Sequence, residues 1–301
     1  MAKKLTIQIV GWNHAAVLPA TLATLQTIPH DEVAIRYIDN GSQDGSAQVA
    51  RQALPAAEII ALPTNTGFAG AHNLGFARCA TELVLVHNPD FILDWTGVAK
   101  VLEVFADPRV GAAQGILYRD VARTIIDSAG IVLTPALNGV DRGAGQRDGG
   151  QFSAVADLDA VTGAAGVYRL SALREVAHAG GEVFDEDFFA YKEDVDLGWR
   201  MRRAGWRIVF VPVAMGIHSR GLQPGTLLSR LGDARTRYSL RNWVWMLIKN
   251  MRGRDMVRHG IFVEARLLFF MLLSLVAWPL LRAWRDIFRG LPRITAKTYE
   301  A

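Results

Sequence analysis

The segment richest in chemically reactive side chains runs from Phe184 to Asp196 in this chain of 301 residues. Six acidic residues alternate there with four aromatic residues within thirteen positions. The aromatic rings need burial, and a carboxylate beside apolar surface is unfavourable unless a metal, hydrogen bonds or a function compensates. Asp194 stands where a helical pattern begins, which places its carboxylate to face a crevice. We therefore expect Asp194 to act as a general base.

Three other segments place polar side chains directly after short apolar runs. The carboxylate of Asp39 suits hydrogen bonds from a nucleobase or ribose, and the glycine-rich stretch 65–75 offers backbone amides to a diphosphate. Asp90, after the run 83–86, suits a divalent cation that bridges phosphates. Each segment also has a structural alternative, because Asp39 can belong to a capped turn and Asp90 can cap a helix.

The elements that must position these side chains follow from hydrophobic periodicity. Short apolar runs predict strands, and apolar residues at helical spacing between them predict helices over 17–25 and 47–54. Strand and helix in alternation predict an α/β fold with a mostly parallel, Rossmann-like sheet flanked by helices. Ligands bind such sheets beyond the carboxyl ends of the strands, where all these loops begin. The predicted strands are 5–10, 33–38, 58–62 and 83–86.

The second half of the chain is harder to divide. Residues 111–160 are rich in Gly, Asp and Arg, which predicts one long loop, either a lid over the crevice or a surface hairpin without a role. Helices are predicted from about Ser171 and near 195–204, and a strand over 207–211. His218 follows this strand and a predicted turn at 212–214, so we expect it to bind a metal or a phosphate.

Charge and cysteine content narrow the class of protein. The single cysteine excludes an intramolecular disulfide framework and a cysteine-based zinc cluster. Its scarcity and an N-terminal apolar run too short for a signal peptide both favour the cytoplasm. The net charge is +4, yet residues 1–229 carry 19 basic against 24 acidic side chains, and residues 230–301 carry 14 against 5. We expect a catalytic domain over 1–229 and a basic, apolar helical segment over 230–301.

Six motifs in order resemble the family 2 inverting glycosyltransferases of the GT-A fold, with the greatest similarity to the rhamnosyltransferase-like branch that builds bacterial cell-surface glycans. The resemblance covers about residues 5–245. The motifs are IDNGSQDGS (38–46), NTGFAGAHNLG (65–75), HNPD (87–90), TGAAGVYR (162–169), FDEDFFAYKEDVDLGWRMRRAGW (184–206) and RY…RN (237–242).

The resemblance implies roles for individual residues. Asp194 would be the catalytic base with Glu193 in support, and Asp90 and His218 would hold Mg²⁺ or Mn²⁺ at the donor diphosphate. Asp39 would contact the uracil or thymine base. The expected donor-binding residues are Asn13, Asp39, Asn65, Gly67, Asn73 and Asn88, and the expected acceptor-binding residues are Gly163, Ala164 and Trp199.

Two departures from the family pattern shape the expected activity. Many relatives carry two aspartates separated by one residue at the metal loop, where this chain has Asn88, Pro89 and Asp90, so metal affinity would depend on the nucleotide phosphates. The Gln-x-x-Arg-Trp signature of processive synthases is absent from the sequence, which favours transfer of a single sugar. The expected reaction moves rhamnose from dTDP-rhamnose, with UDP-linked donors as an alternative, to a glycan or polyprenyl-diphosphate-linked hydroxyl.

Two other classes of protein share a nucleotide-binding α/β core. A nucleotidylyltransferase usually has a glycine-rich loop bearing Arg and Lys after the first strand, whereas Val10 is followed here by Gly-Trp-Asn-His. A non-catalytic nucleotide-binding module would not need the Glu193–Asp194 pair beside aromatic residues. Both remain alternatives to the transferase.

The C-terminal segment combines cations with an apolar run. Residues 267–281 carry no charge, and fifteen residues make about 22 Å of helix, less than the ~30 Å hydrocarbon core of a membrane. We therefore expect helices in the interface of an anionic membrane, with the enzyme attached peripherally to the cytoplasmic face. A homo-oligomer interface and a true span from Ile261 are the alternatives. The apolar run argues against binding to nucleic acid.

Overall fold

The computed structural model describes residues 3–218, 234–278 and 280–297, which form a ten-stranded mixed sheet flanked by helices. The strands are β1 (Leu5–Gly11), β2 (Val33–Asp39), β3 (Glu58–Ala61), β4 (Leu83–His87), β5 (Phe91–Leu93), β6 (Val110–Tyr118), β7 (Ile126–Ser128), β8 (Ile131–Leu133), β9 (Gly139–Asp141), β10 (Ala156–Asp157), β11 (Val167–Arg169) and β12 (Arg207–His218). The helices are α1 (Leu18–Leu25), α2 (Ser46–Ala53), α3 (Gly67–Ala77), α4 (Trp95–Glu103), α5 (Leu170–Glu175), α6 (Glu193–Arg203), α7 (Ala234–Asn250), α8 (Gly253–Ser274) and α9 (Leu280–Thr295), with 3₁₀ turns at Val104–Ala106 and Glu186–Phe188.

The strand order of the large sheet is β10-β12-β6-β11-β4-β1-β2-β3, with β5 paired to β12 and β7 to β6. Strands β4, β1, β2 and β3 run parallel, while β11 is antiparallel to both of its neighbours. Alternate residues of β4 enter two different cores, Leu85 with α1 on one face and Val84 with α3 on the other. The predicted α/β class, its first four strands and the helices at 17–25 and 47–54 are confirmed.

The prediction of one long loop over 111–160 is wrong. Strand β6 occupies its first part and is buried along its whole length in the middle of the sheet. Its small residues look like loop composition but serve packing: a Cβ on Gly115 would stand 2.4 Å from the carbonyl oxygen of Val213. Four short strands, β7 to β10, lie in the rest, and only the β8–β9 pair resembles the surface hairpin offered as the alternative.

The strand predicted over 207–211 also continues further than expected. Strand β12 passes through Pro212 and ends at His218, with shifts in its register against β6 after Phe210. A proline is tolerated in a strand where the ladder is irregular. His218 is therefore the last residue of a central strand, paired across from Phe91, rather than a residue that follows a turn.

The helices of the C-terminal segment pack against the part of the chain that precedes them. Trp243 and Trp245 of α7 are buried in the cluster that holds Phe188 and Trp199. The ammonium group of Lys249, fully buried, makes ion pairs with Asp185 and Asp196. The predicted domain boundary at 229–230 lies outside the described residues. In the described parts of the chain, none of the helices combines the length and apolar character that a membrane crossing requires.

Candidate active site

The carboxylate of Asp194 lies in the first turn of α6, at the crevice edge of the sheet. Its Oδ2 accepts a hydrogen bond of 3.1 Å from the amide of Gly163, and Oδ1 accepts one from the amide of Val195. Burial raises the pKa of Asp194, and the hydrogen bond from Gly163 acts in the opposite direction. A half-buried carboxylate of raised basicity, held by a backbone amide, is suited to accept a proton from a hydroxyl.

Two neighbouring polar groups share this buried space. Glu193 is 6% exposed, and its Oε2 has no hydrogen-bond partner among the described residues. Burial, and then the charge of Asp194, raise the pKa of Glu193 to about 8, so it is protonated at neutral pH. The hydroxyl of Tyr168 is likewise buried and unpaired within the described ranges; burial and the two carboxylates raise the pKa of Tyr168. Sequence reasoning missed Tyr168, because nothing in its motif distinguishes it from a core residue.

The backbone before the base adopts an unusual conformation. Phe189, Tyr191 and Lys192 have φ angles of 65°, 73° and 73°, in the left-handed region that side chains disfavour. The amide of Asn242 in α7 donates to the carbonyls of Phe188, Ala190 and Tyr191 at 3.0, 2.8 and 2.7 Å. These contacts fix the turn that leads into Glu193 and Asp194. The resemblance included Asn242 in a motif but assigned it no role.

A second group of side chains surrounds the end of β12. His218 Nδ1 lies 2.8 Å from Asp127 Oδ2, and its Nε2 lies 3.3 Å from Asp90 Oδ1. Burial alone would lower the pKa of His218, but hydrogen bonds to Asp127 and Asp90 raise it to about 9. Asp127 is fully buried and 91 residues distant in sequence. Sequence reasoning missed it for that reason.

The donor set at this point fits a divalent cation in part. Asp90 supplies a carboxylate oxygen and His218 an imidazole nitrogen, and Asp127 orients the ring from behind, as carboxylates do for metal-bound histidines. The side-chain amide of Asn88 lies 3.4 Å from His218 Nε2. Within residues 3–218, 234–278 and 280–297, no group of three His, Cys, Asp or Glu side chains is arranged to hold a metal. A cation here would need further oxygen ligands, such as those of a diphosphate.

The loop after β2 presents an unsatisfied carboxylate oxygen. Asp39 is 3% exposed; its Oδ2 accepts from the amide of Ser42, while Oδ1 is buried without a partner among the described residues. The hydroxyl of Tyr37 is buried and unpaired in the same sense. An unpaired buried oxygen is unfavourable unless a ligand supplies a donor, as the N3–H of a uracil or thymine would.

Asn13 joins the first two loops of this edge. Its side-chain Oδ1 accepts a 2.9 Å hydrogen bond from the backbone amide of Gln43, and its backbone amide donates to Ser42 Oγ. The backbone of Asn13 has a φ of 55°, a conformation that asparagine tolerates better than most residues. Its side chain thus holds the loop beside Asp39, and a direct contact with the donor stays a prediction.

Asn40 links the loops that follow β2 and β3. Its amide nitrogen donates to the carbonyl of Gly67 and to Asn65 Oδ1, and its Oδ1 accepts from the amide of Thr66. The amide of Gly67 donates to Asn65 Oδ1 over 2.8 Å, so it does not face the crevice as a free donor. Asn65 and Gly67 therefore shape the loop, and sequence reasoning did not single out Asn40.

Gly67 and Asn73 connect α3 to the acidic–aromatic segment. A Cβ on Gly67 would stand 2.5 Å from the carbonyl oxygen of Phe189, so only glycine permits this approach. Asn73 donates through Nδ2 to the carbonyl of Phe184 and to Glu186 Oε1, and its Oδ1 accepts from the amide of Phe184. Both hydrogens of its side-chain amide are engaged in these bonds. No free N–H of this side chain is therefore left for the predicted contact with the sugar of the nucleotide sugar.

The expected acceptor residues do not lie together. Gly163 donates its backbone amide to Asp194, and a Cβ at Gly163 would stand 3.0 Å from the Phe68 ring. The carbonyl of Ala164 accepts from the amide of Asn88, so it joins the base to the metal loop. Trp199 lies five residues after Asp194 on α6, where it lines a different cavity beside α8.

The loops after β1, β2, β3 and β4 converge with the start of α6 on one edge of the sheet. Contacts link Asp39 through Asn40 and Gly67 to the acidic–aromatic segment, and Asn88 of the Asp90 loop bonds to Ala164 in the loop before β11. Asp94 rather than Asp90 caps α4, so the structural alternative for Asp90 is wrong. This crevice has a carboxylate suited to a nucleobase, a site suited to a diphosphate and a carboxylate suited to a hydroxyl. The combination is typical of transferases that use nucleotide sugars.

Comparison with known proteins agrees with this class. Residues 2–254 match the family described as "Glycosyltransferase like family 2", and the chain belongs to this family of glycosyltransferases. An N-acetylglucosaminyl-diphospho-decaprenol L-rhamnosyltransferase of Mycobacterium tuberculosis is 28% identical over 248 residues, covering 75% of this chain and 79% of the relative. A poly-beta-1,6-N-acetyl-D-glucosamine synthase of Staphylococcus aureus is 22% identical over 214 residues, covering 70% and 48%.

Solved structures share the fold. The mannosyltransferase PcManGT of Pyrobaculum calidifontis, in complex with GDP-Man and Mn²⁺, has a TM-score of 0.60 at 16% identity, covering 97% of this chain and 76% of that one. GalNAc-T7, with UDP, GalNAc and Mn²⁺, has a TM-score of 0.59 at 12% identity, covering 82% and 48%. These likenesses confirm the GT-A fold that the motifs predicted.

Proposed function

We propose that this glycosyltransferase moves one sugar from a nucleoside-diphosphate donor to a hydroxyl of a polyprenyl-diphosphate-linked acceptor, with inversion at the anomeric carbon. The observation that carries the proposal is the carboxylate of Asp194, half-buried in the first turn of α6, whose Oδ2 accepts a hydrogen bond from the amide of Gly163. We take rhamnose from dTDP-rhamnose as the best donor, supported by the rhamnosyltransferase relative.

The mechanism assigns one proton transfer to the chain. Asp194 Oδ removes the proton of the acceptor hydroxyl, whose oxygen then attacks the anomeric carbon from the face opposite the leaving nucleoside diphosphate. General base catalysis of this kind contributes about 10²–10⁴-fold. Glu193, whose pKa burial and Asp194 raise to about 8, would hold its proton at neutral pH and so keep a second negative charge away from Asp194.

The leaving group departs beside Asp90 and His218. These residues would hold Mg²⁺ or Mn²⁺, which when bound neutralises charge on the diphosphate. Both solved relatives named above contain Mn²⁺. Asp39 would accept the N3–H of the base through its unpaired Oδ1, and this contact is the same for uracil and thymine.

A lipid-linked acceptor requires the enzyme to work at a membrane surface. The name of the tuberculosis relative specifies a diphospho-decaprenol acceptor. In the connection between α8 and α9, Leu275, Val276 and Trp278 are 80%, 77% and 64% exposed, and α9 carries the exposed Arg282, Arg285 and Arg289. This combination suits the interface of an anionic membrane, where the catalytic body, residues 1–229, would sit on the cytoplasmic face.

The test is product analysis with purified full-length enzyme, Mn²⁺, dTDP-rhamnose and N-acetylglucosaminyl-diphospho-polyprenol. The proposal expects free dTDP together with a rhamnosylated lipid of inverted anomeric configuration. Pyrophosphate as the product would identify a nucleotidylyltransferase instead. Parallel reactions with UDP-linked sugars decide the donor, and release of nucleoside diphosphate without any lipid product would contradict the proposed acceptor.

A further inference from the structure

A cavity of about 790 Å³ lies on the side of α6 away from the catalytic crevice. Its walls are the β8–β9 hairpin, the C-terminal half of α6 and the first turns of α8. Arginine side chains line it from two elements, Arg202 and Arg203 from α6 and Arg254 and Arg258 from α8. Arginine forks of this kind are suited to bind phosphate oxygens.

The four arginines differ in their partners. Arg202 pairs with Asp159, and Arg203 pairs with Asp255 at 3.2 Å. Arg254 and Arg258 make no ion pair with any residue in the described parts of the chain. The cavity therefore holds two guanidinium groups whose charge is not neutralised by the protein.

Apolar side chains of α8 lie in the cavity and next to its lining residues in sequence. Phe262 of α8 is one of its lining residues and is 49% exposed, and Val257 and Ile261 on the same helix are 92% and 74% exposed. A site for a soluble nucleotide or a nucleic acid would not need such residues at its rim. Basic groups next to exposed apolar surface fit a molecule that carries a phosphate and acyl chains together.

We propose that this cavity binds the phosphate headgroup of an anionic phospholipid, with Arg254 and Arg258 as its ligands and Phe262 against the acyl chains. The proposal rests on the membrane attachment proposed above and adds a specific lipid site to it. Charge complementarity selects an anionic lipid, and the apolar rim places that lipid in a bilayer.

This site is distinct from the acceptor site. Arg202 follows Asp194 by eight residues on α6, a separation of about 12 Å along the helix axis. Trp199, which lines the cavity, is five residues beyond Asp194, about 140° around the helix. A phosphate in the cavity therefore lies on another face of α6, too far around the helix to belong to a sugar whose hydroxyl touches Asp194.

The test is cosedimentation of the full chain with vesicles, either phosphatidylcholine alone or equal parts of phosphatidylcholine and phosphatidylglycerol. The variant replaces both arginines by lysine, R254K/R258K, which keeps the charge but removes the two-pronged hydrogen bonding. The matched control is R51K/R147K, at two exposed positions on α2 and after β9, away from α8 and α9. We expect about tenfold weaker partitioning of R254K/R258K onto the anionic vesicles, and an unchanged control.

Three results would overturn the lipid site. Equal partitioning of R254K/R258K, the control and the wild type would mean that general surface charge suffices. Tight binding of inorganic phosphate without vesicles would identify a site for a free anion, and preference for phosphatidylcholine vesicles carrying polyprenyl diphosphate over phosphatidylglycerol would identify the acceptor. Failure of the wild type to bind any vesicle would instead remove the proposed membrane attachment, while the glycosyl transfer assay would be unaffected.

Discussion

The side-chain amide of Asn242 donates to the carbonyl of Tyr191 over 2.7 Å, which ties helix α7 to the turn that leads into Asp194, the proposed base. Asp194 follows Tyr191 by three residues, and the intervening Lys192 has a φ of 73°. A backbone in this conformation persists only where its surroundings hold it. Helix α7 therefore supports the turn before Asp194, although its sequence belongs to the basic C-terminal segment.

Asn242→Ala removes a donor from three backbone carbonyls, of which that of Phe188 keeps its hydrogen bond from Arg241. We expect a loss of about 1–3 kcal/mol in the free energy of unfolding, because the part-buried carbonyls of Ala190 and Tyr191 lose this donor. We also expect kcat to fall about 10–100-fold as Asp194 loses its alignment, while the donor KM stays within a few-fold.

The control for this variant is Asn138→Ala, whose side chain makes no hydrogen bond with the described residues. Denaturant unfolding and steady-state transfer assays measure the two effects. If Asn242→Ala matched Asn138→Ala in kcat, the turn would not depend on α7.

Lys249→Met breaks a buried charge cluster. Lys249, Asp185 and Asp196 all have fully buried side chains, and removal of the ammonium group leaves both carboxylates without it. The expected loss is about 3–5 kcal/mol in the free energy of unfolding. Lys100→Met, at an exposed position of α4, should stay within about 0.5 kcal/mol. A loss below 1 kcal/mol for Lys249→Met would show that α7 contributes little to the folded body.

Glu193→Gln tests the protonation of the residue beside the base. Because the folded pKa of Glu193 is raised to about 8 from an unfolded value of 4.5, the folded state holds its proton more tightly. The wild type should therefore lose stability as the pH rises from about 4.5 to 8, and the loss is complete above 8. Glutamine mimics the neutral carboxyl, so the variant should show a smaller drop in Tm between pH 5 and 8.5.

The same variant should keep transfer activity at pH 7 within a few-fold, because Asp194 is unchanged. Melting curves across this pH range decide the matter. An identical pH dependence of Tm in the wild type and the variant would mean that Glu193 is ionised in the folded protein at neutral pH.

Asp90→Asn weakens the proposed metal site. We expect the Mn²⁺ concentration for half-maximal transfer to rise about tenfold or more, because one of two protein ligands loses its charge. Asp94→Asn is the matched control: Asp94 caps α4, and asparagine caps helices equally well. Metal titrations of activity compare the two, and an unchanged titration for Asp90→Asn would place the cation elsewhere.

The parallel half of the fold could be predicted from the sequence because its strands are continuous apolar runs bounded by turns. Strand β6 could not be predicted, because Gly111 and Gly115 make its sequence resemble a loop. These glycines are needed for packing against other elements of the fold. Both lie where Met201 and Val213 approach from other elements. The irregular second half of β12 was also missed, because Pro212 makes the sequence resemble a turn.

In the candidate site, the sequence predicted individual acidic residues at the ends of strands. It did not predict the residues that hold them in place. Asp127 and Asn242 reach His218 and the turn before Asp194 from remote positions in the chain. Their side chains act only through spatial proximity, which spacing along the sequence does not encode. Trp199 was predicted to bind the acceptor because it belongs to the motif at 184–206. In the structure, its side chain lines another cavity.

The most direct test of the account is transfer by Asp194→Asn, measured as nucleoside diphosphate released in the presence of acceptor. Asparagine preserves the size of the side chain but cannot accept the proton. The account predicts a 10²–10⁴-fold lower rate with donor binding, measured by calorimetry, within a few-fold of the wild type. Turnover at the wild-type rate would contradict the assignment of Asp194 as the base.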